Sequence, residues 1–180
     1  MGLKRYDDAA TRLESLADLV PGNRPDLRAQ ALGQASQAWN AAGKPERALP
    51  VLNRALELRP GEVDLLFDRA ALHEAAGRLA EATADLTEIL KIAPNRDDVL
   101  LLRATTQRRQ SRLDLARADV DRALLLNADN PDALLERGII RLDQGDTAGA
   151  KDDWRRVGTL APRSAAAKAA AANLARINQK

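Results

Sequence analysis

His73 is the single histidine of this 180-residue chain, and cysteine is absent. A multi-histidine or thiolate metal site, a disulfide and a cysteine nucleophile are therefore all excluded. The run His73-Glu74-Ala75-Ala76-Gly77 opens like a zinc-binding helix but lacks the second histidine. No Ser–His–acid arrangement stands out, and no glycine pair has phosphate-loop spacing beside a strand. No catalytic, cofactor-binding or metal-ligating residue is assigned, and His73 reads as a packed or half-buried side chain. One charge pattern does stand out. Arg69, Arg103 and Arg137 recur at one spacing, as do Asp85, Asp119 and Asp153, and where the first set begins with Ala35 the second begins with Val51. Both positions change together, which predicts three partly buried Arg–Asp bridges that set helix register more than they stabilise.

Stepping those positions back through the chain exposes a period of 34 residues. Gly43, Gly77, Ser111 and Gly145 fall in one column, and Ala48, Ala82, Ala116 and Ala150 in another. Leu32, Leu66, Leu100 and Leu134 align, and Pro60, Pro94, Ala128 and Pro162 close the units. Four units run without a gap over 29–62, 63–96, 97–130 and 131–163. Each reads as two amphipathic helices, with apolar residues such as Leu65, Leu66, Phe67, Ala70 and Leu72 on one face. Glycine stops the first helix because it takes the left-handed conformation freely, and proline stops the second. Asn130-Pro131 and Ser164 read as helix starts. Pro50 falls inside a second helix and should kink it, at a cost of roughly 3 kcal/mol if fully interior.

Composition agrees with an all-α protein. The chain holds 36 alanines and 29 leucines but two tryptophans, one tyrosine and one phenylalanine. Charge is nearly balanced, 28 basic against 26 acidic groups, which disfavours nucleic acid or anionic lipid as partner. No apolar run reaches membrane-spanning length.

The unit of small residue, Gly turn, Ala, aliphatic and Pro, clearest in AALHEAAGRLAEATADLTEILKIAP, resembles the tetratricopeptide repeat family over nearly the whole chain. Ser111 and Ala128 depart from that pattern, and His73, Gln107 and Arg141 stand where the family often has an aromatic, so the third unit should be locally the least stable. The resemblance implies an α-α superhelix, a solenoid of four helix–turn–helix repeats whose first helices line a concave groove. Gln37, Asn40, Phe67, Asp68, Glu74, Leu101, Thr105, Arg108, Arg109, Leu135, Ile139 and Leu142 would face that groove, with Gln30, Gln34, Asp64 and Glu136 at its rim. Two readings of the apolar members stand side by side: anchors for a peptide, or packing between adjacent first helices. Arg108 and Arg109 read as solvated turn arginines, or more sharply as contacts for an acidic peptide. Some family members grip a partner's terminal carboxylate with Lys, Asn and Arg. Here Gly33, Gln37, Asp68, Asp98 and Leu102 hold those places, so that role is disfavoured.

The ends are atypical. Residues 3–21 read as the second helix of a truncated repeat, with Tyr6 at its turn and Ala9 in the Ala column, followed by Leu13, Leu16, Leu19 and Pro21. Arg24 to Arg28 then delay the first full unit, and Met1-Gly2 reads as an added start on a longer natural chain. Residues 164–178 read as a polar-faced capping helix.

The expected function is a non-enzymatic interaction module, an adaptor or assembly scaffold that holds a protein or peptide segment in the groove and needs no cofactor. The alternatives are a self-assembling scaffold joined through its terminal helices, or an accessory domain of a larger secretion, biogenesis or glycosyltransferase protein. The Ala/Arg/Asp bias points to a bacterium, and the compartment stays open between cytoplasm and periplasm.

Overall fold

Each 34-residue unit contains the signals that make two helices and the turn between them. Gly43, Gly77 and Gly145 sit at φ of 74°, 73° and 88°, and Ser111 takes the same left-handed conformation at 59°. The backbone turns at these four points and the next helix runs back along the first. The computed structural model describes residues 2–178, with side chains from Lys4 onward. Met1, read above as an added start, lies outside the described residues. All the described regular elements are helices, and the chain divides into two units.

The first unit holds α1 (Gly2–Leu19), α2 (Pro25–Ala41), α3 (Pro45–Leu58), α4 (Val63–Ala75) and α5 (Leu79–Ile92). Successive helices pack in chain order, with Leu32, Leu52, Leu86 and Ile89 fully enclosed. Ala48 and Ala82 are completely buried, which lets second helices approach their partners closely. α3 is one continuous helix through Pro50, which lies on an exposed position.

Two details differ from the sequence reading. Pro25 to Arg28, expected to be a delaying segment, form the first turn of α2, with Pro25 at N1 and Asp26 beside it. α1 begins at Gly2, so Tyr6 lies within it and not at a turn. Its buried residues are Ala10 and Ala17, while Leu16 is 52% and Leu19 80% exposed. Polar ties set this rotation. Lys44 Nζ meets Asp7 Oδ2 at 2.6 Å, the Trp39 indole N–H donates to Glu14 Oε1 at 2.6 Å, and Arg54 meets Asp18 at 2.7 Å.

The second unit holds α6 (Asp97–Arg109), α7 (Leu113–Leu126), α8 (Pro131–Asp143), α9 (Thr147–Leu160) and α10 (Ala165–Asn178). Leu100, Leu134, Ile140, Val120, Val157 and Trp154 form its core. Gly138 is required by Trp154: a Cβ at that position would collide with the indole ring. The Asn130 side chain accepts from the N–H groups of Asp132 and Ala133, and Ser164 Oγ accepts from Ala167, capping α8 and α10. α10 packs on α8 and α9 through Ala166, Ala167 and Ala170. Its outward face carries Lys168 and Arg176 but also Ala165, Ala169, Ala172 and Ala175, so it is less polar than expected.

In both units an arginine of a first helix grips an aspartate of the second. Arg69 holds Asp85, Arg103 holds Asp119 and Arg137 holds Asp153, each through two N–H···O bonds of 2.7 to 2.9 Å. The aspartate side chains are 5% to 9% exposed. The pairing holds Arg69 and Arg137 more firmly protonated than a free guanidinium. Two of the networks extend to a neighbour: Arg69 also donates to Asn53 of α3, and Arg137 to Asp121 of α7. Where the pair is missing, Ala35 and Val51 take its place, both buried.

Candidate functional site

Within the first unit the faces of α2 and α4 meet over a pocket of about 470 Å³. Its floor is Gly33, where a Cβ would lie 2.7 Å from the Leu65 side chain. Gln30, Gln34 and Gln37 of α2 line one side, and Asp64 and Asp68 of α4 the other. The Gln37 amide donates to Asp68 Oδ2 at 2.8 Å. Burial lifts the Asp68 carboxyl above its ordinary range, Gln37 opposes the shift and the neighbouring Asp64 adds to it. At the pocket mouth two further carboxylates already have cations: Arg24 pairs with Asp26 and Arg59 with Glu62. Phe67 and Glu74 are half-buried on α4, and Asn40 is exposed on α2. None of those three lines the pocket, whereas Gln30, Gln34 and Asp64, expected only at a rim, do.

Within the second unit the corresponding face is filled. Leu101, Leu135, Ile139 and Leu142 are half-buried and pack against the core around Trp154 and Val157, so much of their apolar surface is already used. Thr105 is half-buried and Arg109 exposed. Arg108 is not a solvated turn arginine. Its Nε donates to Glu136 Oε1 at 2.6 Å, and the Glu136 side chain is only 9% exposed. A carboxylate that far from water needs a cation, and the adjacent first helix supplies it.

His73 is half-buried, and burial, together with Arg78 and Arg69, makes its imidazole harder to protonate than usual, although Asp85 and Glu81 oppose this. Trp39 lies in the core at 3% exposure, with the Arg47 guanidinium 4.6 Å above its ring. Among the described residues no group of three or more His, Asp or Glu could hold a metal ion, and no helix is long and apolar enough to cross a membrane.

Two family models, each described as tetratricopeptide repeat, match residues 37–107 and 101–156. No curated protein sequence matches the chain. Solved structures do resemble it. MamA residues 41 to the end from Desulfovibrio magneticus RS-1 is 18% identical with a TM-score of 0.72, over 91% of this chain and 97% of that one. YrrB, described as a TPR protein with an unusual peptide-binding site, is 19% identical with a TM-score of 0.67, over 84% of this chain and 79% of that one. The first TPR of Spaghetti (RPAP3), bound to the HSP90 peptide SRMEEVD, is 25% identical with a TM-score of 0.60, over 65% of this chain and 90% of that one.

Proposed function

This chain belongs to the tetratricopeptide repeat family, a family of protein-interaction modules that are generally non-catalytic, and we propose that its first-helix faces hold a segment of a partner protein. On this reading the chain is an adaptor or scaffold and performs no chemistry of its own. The observation that carries the proposal is the open pocket between α2 and α4, walled by apolar and polar groups on rigid helices. A preformed surface spares the module an ordering cost, so the bound segment bears most of the entropy loss. Peptide binding by the structural neighbours YrrB and RPAP3 supports the same use of the fold.

An acidic tail such as SRMEEVD is a poor match for the first unit. Asp64 and Asp68 line its pocket, and Gly33, Gln37 and Asp68 hold places where a carboxylate grip would need cations or amide donors. The test is capture of displayed random peptides by the wild type and by the double variant Gln30→Ala, Gln34→Ala, whose exposed side chains line the pocket. Reduced capture by the double variant supports the reading; undiminished capture moves the site away from these helices.

A second reading, self-association, is favoured by one observation. Tyr6, Leu16 and Leu19 are large apolar side chains left exposed on α1, with Leu19 at 80%. Sedimentation that depends on concentration, and loses that dependence in Leu16→Glu, would establish it; a monomer at all concentrations would dismiss it.

A further inference from the structure

The two halves of the repeat array treat one carboxylate position differently. Asp68 on α4 and Glu136 on α8 stand two periods apart in the same column, as do Asn40 on α2 and Arg108 on α6. In the second unit the Arg108 guanidinium of the preceding first helix sits on Glu136, with Nε 2.6 Å from Oε1. In the first unit the equivalent first-helix residue is the neutral Asn40, which is exposed. Asp68 receives only the Gln37 amide, and among the described residues neither Asp68 nor Asp64 takes part in an ion pair. A second change accompanies the first. The column that places Leu101 on α6 places Gly33 on α2, so the apolar bulk that helps fill the second unit is missing as well. Gly33 lines the pocket of about 470 Å³, and so does Asp68, the carboxylate left without the cation.

We propose that this pocket accepts a basic side chain, arginine in preference to lysine, from the polypeptide held on the first-helix face. The inference deepens the function proposed above and rests on it. The partner's guanidinium takes the place on Asp68 that Arg108 takes on Glu136, and Asp64, one helical turn away, adds attraction. Two carboxylates at i and i+4 repel each other until a cation joins them, so binding relieves a strain that the free protein carries. Arginine is favoured because its planar fork can meet a carboxylate through two bonds and sheds water more readily than an ammonium. Gln30 and Gln34 carry amides that can both donate and accept, which suits them to the peptide backbone on either side of the anchor.

The test begins with a displayed library of random peptides selected on the wild-type protein. The selected sequences should share one basic position, and replacing that arginine by citrulline, its neutral isostere, should weaken wild-type binding by about tenfold, as expected for a charge-assisted hydrogen bond. The same replacement should have no effect on Asp68→Asn. It should likewise have no effect on Asn40→Arg, which rebuilds within the chain the cation seen in the second unit and serves as a folded control. Peptides that bind in a Gln30- and Gln34-dependent way but share no basic residue would overturn the inference and leave the interaction module standing. A citrulline effect equally large on Asp68→Asn would do the same. Peptides insensitive to Gln30→Ala, Gln34→Ala would overturn the underlying reading and this inference with it.

Discussion

Arg69 and Asp85 meet in a two-bond pair, Nε to Oδ2 at 2.9 Å and the terminal nitrogen to Oδ1 at 2.7 Å, across the hairpin formed by α4 and α5. They stand 16 residues apart, and the same separation links Arg103 to Asp119 and Arg137 to Asp153. A hairpin shifted along its axis could not form both bonds, so the pair selects one alignment of the two helices. The chain also contains its own control, because Ala35 and Val51 fill these positions in the first repeat with no charge at all.

That control gives the first prediction. Arg69→Ala leaves Asp85 buried without its cation and should cost about 2–3 kcal/mol in chemical denaturation. The double variant Arg69→Ala, Asp85→Val copies the first repeat and should fall within about 1 kcal/mol of the wild type. A loss in the double variant as large as that of Arg69→Ala would show that the pair stabilises the hairpin outright, and strictly additive losses would show that the two residues are not coupled.

Ser111 provides the second. It holds a left-handed conformation, φ 59°, that glycine occupies at the same point of the other repeats. Ser111→Gly should stabilise the protein by about 1 kcal/mol, a rise in melting temperature of roughly 3 °C for a chain of this size. Calorimetry reads the effect directly, and a lower melting temperature would show that the serine side chain has a compensating role.

Asp68 sets a pH dependence. Its carboxyl is raised above the ordinary range in the folded protein, so the folded state holds the proton to higher pH than the unfolded chain does. The stability contributed by this group is therefore greatest in acid. It declines as pH climbs from the ordinary carboxylate range through the raised value, because ionised Asp68 is poorly solvated beside Asp64. Asp68→Asn should accordingly melt above the wild type at neutral pH and lose that advantage near about pH 3. A variant that melts lower at neutral pH would contradict this. Such a gain would also fit a position that sacrifices stability for binding.

Much of this architecture can be read directly from the sequence, because a strict period converts one hairpin into a rule for all of them. Gly43, Gly77, Ser111 and Gly145 mark the turn inside each repeat, and the covariation of Ala35 with Val51 against the Arg–Asp columns marks what faces what. α1 escaped that rule. Tyr6, Ala9, Leu13 and Leu16 form a regular apolar stripe, yet the helix buries Ala10 and Ala17 and leaves Leu16 exposed. Its rotation follows from the ties of Asp7, Glu14 and Asp18 to Lys44, Trp39 and Arg54, contacts between distant residues that periodicity does not encode. Arg108 is a similar case. Its column places it on the first-helix face, but its long side chain folds onto Glu136, 28 residues away. The pocket of the first unit lies where bulk is missing at Gly33, its Asp68 lacks the cation because Asn40 carries no charge, and an absence shows only when columns are compared.

If first helices, not second helices, carry the partner, hydrogen–deuterium exchange on the protein alone and with a selected peptide reads this out helix by helix. Added protection is expected in α2 and α4, and in any further first helix the peptide reaches, with α3, α5, α7 and α9 unchanged. Protection confined to the second helices or to α1 and α10 would contradict it.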